Sequence, residues 1–134
     1  MVKKSSSLRV LIVDDEPLIR WFLAQILVES GHAILEAGDG ETAVRALTDG
    51  AESFDVVLLD YRLPDSNDLK LLSTIRRLAP RAAVIMMTAY GTPEVATAAI
   101  DLGAYRVVSK PIEVSEVTEL VSRAHASISN GPVA

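Results

Sequence analysis

V-L-I-V-D-D-E-P, Val10 to Pro17, decides how the rest of the chain is read. Four apolar residues without polar alternation suit a strand covered on both faces, and Asp14, Asp15 and Glu16 then end the burial abruptly. Pro17 follows at once, a residue favoured in the first turn of a helix. A buried strand that ends in acids and passes straight into a helix is the opening of a β-α unit. Strand-length apolar runs recur at Leu8–Val13, Ala33–Ala37, Asp55–Leu59, Ala82–Met87 and Tyr105–Ser109, with helically spaced segments between them. Helices are expected over Pro17–Ser30, Glu41–Leu47, Leu69–Leu78, Thr92 to about Gly103, and Val114–Ile128. Gly31 just past the first helix and Thr92-Pro93-Glu94 at the start of the fourth are stop and start signals. Five β-α units with right-handed crossovers make an α/β, doubly wound parallel sheet.

Composition is consistent with this. A chain of 134 residues, 49% apolar and 23% charged, suits one globular domain, expected over residues 8–128 with tails at 1–7 and 129–134. The absence of cysteine excludes disulfides and thiolate zinc sites, and no apolar run is long enough to span a bilayer. A soluble protein of the cytoplasm, with no membrane association, is the expectation. A net charge of −5 and scattered basic residues argue against direct nucleic-acid binding by this segment.

In an open parallel sheet the ligand site lies beyond the carboxyl ends of the strands. Asp14 and Asp15 follow the first strand, Asp60 the third, Thr88 the fourth and Lys110-Pro111 the fifth. Three carboxylates brought together repel one another, and a cation relieves that repulsion. Oxygen ligands without His or Cys favour a hard ion, magnesium first and manganese as the alternative. Plainer readings exist for each residue: Asp15 as an N-cap, Asp60 as a turn residue, Thr88 as a cap, Lys110 as a surface lysine. For Glu16 the plain reading, a first-turn acid that suits the helix dipole, is the better one. For Asp14, Asp15, Asp60, Thr88 and Lys110, five such coincidences at one edge are harder to accept than one site. His32 and His125 have no partner spacing and read as surface residues; Met86 and Met87 read as core.

The motifs V-D-D-E-P, L-L-D-Y-R-L-P-D, M-T-A-Y-G and G-A-Y-R-V-V-S-K-P-I, in this order at four strand ends, resemble those of the receiver domains of two-component response regulators. The resemblance covers Leu8 to Ile128. It implies a flavodoxin-like, CheY-like (βα)5 fold with strand order 2-1-3-4-5. It also implies that Asp60 accepts a phosphoryl group from a phosphohistidine on a sensor histidine kinase or phosphotransfer protein, and that the domain dephosphorylates itself. By the same resemblance Asp15, Asp60 and the backbone carbonyl of Arg62 hold Mg2+, with Asp14 acting through a metal-bound water. Thr88, the backbone N–H of Ala89, and Lys110 bind phosphoryl oxygens. Arg62 and Tyr90 tune the lifetime of the adduct, and Pro111 follows a cis peptide that turns Lys110 into the pocket. The wording T-A-Y-G and D-D-E-P-L-I-R-W is most similar to receivers of NtrC-type enhancer-binding regulators, which implies transcription regulation as the output.

Two positions depart from the family pattern. Val107 stands where an aromatic switch residue usually partners the Thr88 position, and its stiff side chain cannot make an in-or-out ring flip. Tyr105, two residues earlier, is expected on the same strand face as Val107. Asp68 stands where a glycine often precedes the third helix. The first helix carries more apolar residues than one stripe needs: Phe22, Leu23, Ile26 and Leu27 are expected in the core, leaving Leu18, Ile19 or Trp21 partly exposed. The resemblance implies that this helix engages the kinase, so Leu18, Ile19, Trp21 and Phe22 are the expected docking surface. A homodimer through the fourth helix, fifth strand and fifth helix is the further partner the resemblance implies. The rival readings are a pseudo-receiver interaction module not switched by phosphate, a flavodoxin-like flavin protein, and an aspartate-based phosphatase. The flavin reading lacks a glycine- and hydroxyl-rich loop after the first strand, and the phosphatase reading lacks D-x-D there.

Overall fold

The computed structural model describes residues 7–49, 53–66, 69–89 and 91–129. The elements alternate strictly: β1 (Arg9–Val13), α1 (Pro17–Glu29), β2 (Ala33–Ala37), α2 (Gly40–Asp49), β3 (Val56–Asp60), α3 (Lys70–Leu78), β4 (Ala83–Thr88), α4 (Pro93–Asp101), β5 (Arg106–Ser109) and α5 (Val114–Ser129). The five strands form one parallel sheet in the order β2-β1-β3-β4-β5. Of the expected tails at 1–7 and 129–134, residues 1–6 and 130–134 lie outside the described residues, and Ser129, expected in the second, ends α5. No helix among the described residues is long and apolar enough to cross a membrane.

The unbroken apolar runs have the cause the sequence implied. Alternate residues of each central strand enter two different cores. Val10, Ile12, Val56, Leu58, Ile85 and Met87 pack with Leu23, Leu27, Val117 and Val121 of α1 and α5. Leu11, Val13, Val57, Leu59, Val84 and Met86 pack with Ala43, Leu72, Ile75 and Ala99 of α2, α3 and α4. Each fully buried Leu, Ile or Val contributes about 1.5–3 kcal/mol through removal of apolar surface from water. The edge strand β2 behaves differently, with only Ala37 fully buried and Leu35 exposed.

Helix ends follow local chemistry. α1 closes with His32 N–H donating to the Leu27 carbonyl (3.1 Å) and Gly31 N–H to that of Val28 (2.9 Å), with Gly31 at φ +95°. A residue with a Cβ is strained in that left-handed conformation. Thr92 caps α4, its hydroxyl accepting from Val95 N–H at 3.2 Å. At α1 the N-cap is Glu16, not Asp15, and its side chain makes no cap hydrogen bond.

Three expectations need correction. Phe22 is not in the core: it is 41% exposed, and the buried stripe of α1 is Leu23, Ala24 and Leu27 with Ile19 and Ile26 half-buried beside it. Phe22 lies about 100° round the helix from Leu23, outside that stripe. Tyr105 and Val107 do not share a core: Tyr105 packs with Val108 on the α1/α5 side, Val107 on the other. Tyr105 precedes the first β5 residue, Arg106, so strand alternation does not govern it. The histidines are not surface residues. His125 is half-buried on α5, and His32 is buried, its Nδ1 accepting from Leu8 N–H at 3.0 Å. With Asp55 Oδ2 accepting from Arg9 N–H at 2.8 Å, that contact pins the entry of β1.

Burial lowers the His32 imidazole below its ordinary 6.5, with the Asp55 charge partly opposing. The unfolded chain therefore binds the His32 proton more readily than the folded one. Stability from this group is full above pH 6.5 and is lost as pH falls through the range below it. Urea unfolding of wild type and His32→Gln on either side of that pH should show the gap between the two curves changing with pH in that direction. A pH-independent gap would contradict the assignment.

Candidate functional site

The carboxyl ends of β1, β3, β4 and β5 lie along one sheet edge, and the winding reverses between β1 and β3. Asp14 leaves β1, while β3 and β4 each run one residue further than expected, so Asp60 and Thr88 belong to the strands. Asp60 pairs with Met87 and Thr88 with Ser109, and Lys110 N–H donates to the Thr88 carbonyl at 2.9 Å. The residues of the edge are therefore set by ladder hydrogen bonds, not by loose loops. Asp14, Asp60 and Thr88 are buried, Asp15 is exposed on the rim, and carboxylate oxygens of Asp14, Asp15 and Asp60 lie within 4.8 Å of one another.

Lys110 crosses this pocket. Its Nζ donates to Asp14 Oδ2 at 2.8 Å, Asp60 Oδ2 at 3.3 Å and Glu16 Oε1 at 3.3 Å. The Lys110-Pro111 peptide is cis. Asp14, with no exposed surface, uses every polar atom it has. Its N–H donates to the Ala37 carbonyl (3.0 Å), its own carbonyl accepts from Arg20 Nη1 (2.6 Å), Oδ1 accepts from Glu16 N–H (2.9 Å), and Oδ2 takes Lys110. Asp60 Oδ1 faces Arg62 N–H at 3.4 Å.

The electrostatics are frustrated. Burial first, then the Asp14 carboxylate, raise Asp60 to about 6, against the opposing pull of Lys110 and the Arg62 amide. Burial alone would lower the Lys110 ammonium, but its hydrogen bonds and charge contacts with Asp14 and Asp60 outweigh that and hold it above its ordinary value. One ammonium facing Asp14, Asp60 and Glu16, with Asp15 beside them, leaves an excess of negative charge in an all-oxygen donor set. Such a set fits a hard divalent cation.

Of the residues expected at the site, Asp14, Asp15, Asp60, Thr88 and Lys110 share the edge, with exposed Arg62 and Ala89 following Asp60 and Thr88. Val107 does not reach it: it sits half-buried beside Met86, lower on the sheet. Tyr90 and Asp68 lie outside the described residues. On α1, Leu18 is 80% and Trp21 58% exposed. Ile19 and Phe22 instead line a small apolar crevice of about 60 Å3 with Leu23, Met87, Lys110, Pro111 and Ile112.

Three residues that touch or brace the site were missed from sequence. Glu16, read as a helix opening, also binds Lys110. Arg20 holds the Asp14 carbonyl. Asp65 clips the loop after Asp60 to the start of α2, its two carboxylate oxygens accepting from Gly40 N–H (2.8 Å) and Glu41 N–H (3.0 Å). Asp39 completes that first turn by accepting from Thr42 N–H at 2.7 Å, which explains why α2 begins at Gly40. Only Asp39, an acid just before a helix, carried a local signal.

A model of the response regulator receiver domain matches residues 10–122, and the chain belongs to that family. The regulatory protein AtoC of Escherichia coli strain K12 is 38% identical over 116 residues, 87% of this chain and 25% of AtoC. The DNA-binding transcriptional regulator NtrC of Azospirillum brasilense is 33% identical over 119 residues, 89% of this chain and 24% of NtrC. The chain thus spans about a quarter of the length of these relatives. A CheY-like receiver domain protein from Methanospirillum hungatei JF-1 superposes with a TM-score of 0.87 at 27% identity, covering 95% of this chain and all of that one. The CheX-CheY-BeF3-Mg2+ complex from Borrelia burgdorferi contains a chain that superposes at 0.80 with 32% identity, covering 87% of each.

The raised Asp60 carboxyl is a stability statement with a defined sign. Its contribution is full below 3.8 and is lost as pH rises through about 6, because the folded state holds the proton more tightly than the unfolded one. Asp60→Asn removes that loss. Without divalent cations above pH 6 the variant should be more stable than wild type, the gap closing toward acid pH. Chemical denaturation across that range checks this; a destabilised variant at neutral pH would refute it.

Proposed function

We propose that this receiver domain is a phosphorylation-controlled signalling switch in which Asp60 accepts a phosphoryl group from a phosphohistidine of a sensor histidine kinase or phosphotransfer protein. The observation that carries the reading is the buried Asp60 beside Asp14 and Lys110 at the winding reversal of the sheet. Asp15, Asp60 and the Arg62 carbonyl would hold Mg2+ or Mn2+, with Asp14 acting through a metal-bound water. When bound, the ion neutralises the carboxylates and the charge that spreads over the phosphoryl oxygens.

The chain's own residues do the rest. An Asp60 carboxylate oxygen attacks phosphorus in line, the O–P bond forms as the N–P bond to the donor histidine breaks, and the departing imidazole takes up a proton. Lys110 exchanges part of its contact with Asp14 and Asp60 for a phosphoryl oxygen. The Thr88 hydroxyl and the Ala89 N–H donate to the other oxygens. A water attacking along the same line reverses the adduct to inorganic phosphate and free Asp60. Docking of the donor uses the exposed apolar face of α1 with Leu18, Trp21 and Phe22, and Ile19 beside the crevice. Ile100, Leu102 and Val114 are likewise exposed on or beside α4 and α5, where a homodimer would form. By its likeness to AtoC and NtrC, the segment serves a transcription regulator within the cytoplasm.

Incubation with a small phosphodonor and Mg2+, followed by intact-mass measurement, tests the acceptor. Wild type should gain one phosphoryl adduct and Asp60→Asn none. An adduct on both would move the acceptor elsewhere; an adduct on neither would favour the unswitched interaction module.

A further inference from the structure

The β1-α1 turn that carries Asp14 and Asp15 is itself held from behind by a residue that does not line the pocket. On α1, Arg20 lies one turn before Leu23 and Ala24, within the stripe that faces the sheet. A guanidinium on that stripe needs acceptors, because a charge placed there unpaired is costly. It finds two. Nη1 donates to the Asp14 carbonyl at 2.6 Å, and Nε donates to Glu36 Oε1 of β2 at 3.1 Å, with only 20% of the Arg20 side chain exposed. Gly38 makes the room: a Cβ there would stand 3.1 Å from Nη1.

The Asp14 N–H is tied to Ala37 at 3.0 Å. The peptide before Asp14 is therefore anchored to β2, and the peptide joining Asp14 to Asp15 is anchored to α1 through Arg20. That second peptide sets the directions in which both carboxylates leave the backbone. We infer that Arg20 is a positioning residue for the cation site: braced by Glu36 and seated against Gly38, it holds the Asp14-Asp15 peptide so that both carboxylates address Asp60. The inference rests on the cation-binding reading of the acid edge.

A purely electrostatic role for Arg20 has the opposite consequence. Removing a positive charge from behind the carboxylates would tighten a cation, whereas loosening the peptide weakens it. The two signs separate the accounts. Mg2+ is titrated into the full chain while the amide resonances of Asp15 and Arg62 are followed by NMR, for wild type, Arg20→Gln, Arg20→Lys and Glu36→Gln. Mutation of groups that orient metal ligands typically weakens binding about tenfold or more, and Arg20→Gln should do so. Arg20→Lys keeps the charge but not the two-point reach, so it should also bind more weakly than wild type.

Equal or tighter Mg2+ binding by Arg20→Gln would overturn the inference. Should that variant fail to fold, Glu36→Gln carries the test from an exposed position, with weakened binding expected and unchanged binding contrary. A wild type with no saturable response at these amides would remove the cation reading together with the inference. A responding wild type matched by its variants would remove the inference alone.

Discussion

The buried contact between Lys110 and Asp14 organises the molecule. The two residues are 96 positions apart and leave strands that do not touch, since β3 and β4 lie between β1 and β5. The lysine stem therefore spans the carboxyl edge, with 10% of its side chain exposed, to reach a carboxylate with no exposure at all. Burying either charge alone costs several kcal/mol, so each partner depends on the other being delivered in place. Delivery is the task of the fold: two cores clamp the central strands, and the Lys110 amide is fastened to the Thr88 carbonyl. Removing one partner leaves an uncompensated charge inside the edge, which is worse than removing both.

The same contact explains why the site is poised for exchange. Lys110 shares three donors among Asp14, Asp60 and Glu16, and its longer contacts to the last two are the ones more readily given up. Asp14 is held on all its polar atoms and acts as a fixed post. Asp60 is less completely satisfied and more resistant to losing its proton. A doubly charged ion beside these acids relieves what the lysine alone cannot. Around them the backbone is braced from both directions, by Arg20 behind the first acids and by Asp65 on the loop after Asp60.

Much of this was legible in the chain because parallel sheets write their burial into consecutive residues. V-V-L-L at Val56–Leu59 and A-V-I-M-M at Ala83–Met87 declare strands covered on both sides, and the polar residues that end them mark the edge. Edge strands lose that signature, as β2 shows. What stayed hidden depends on partners distant in sequence. His32 reads as a loop residue, yet Leu8, just before β1, supplies an amide for its ring, and Phe22 reads as core, yet the buried stripe of α1 is Leu23, Ala24 and Leu27. Arg20 and Asp65 carry nothing local to distinguish them from solvated charges, because their partners lie on other elements. Val107 was legible as a departure from the family pattern, and its place beside Met86 rather than in the pocket fits an aliphatic filler of the α2-α3-α4 core.

The most direct measurement of the central claim is a crystal structure of this chain grown with Mg2+ and beryllofluoride, a mimic of the phosphoryl group. The beryllium is expected on an Asp60 oxygen, the ion on Asp15 and Asp60, and the Lys110 ammonium on a fluorine, its longer contacts to Asp60 and Glu16 given up. A structure in which Asp60 stays bare and Lys110 keeps its contacts to Asp60 and Glu16, with Mg2+ present at saturating concentration, would contradict the switch reading.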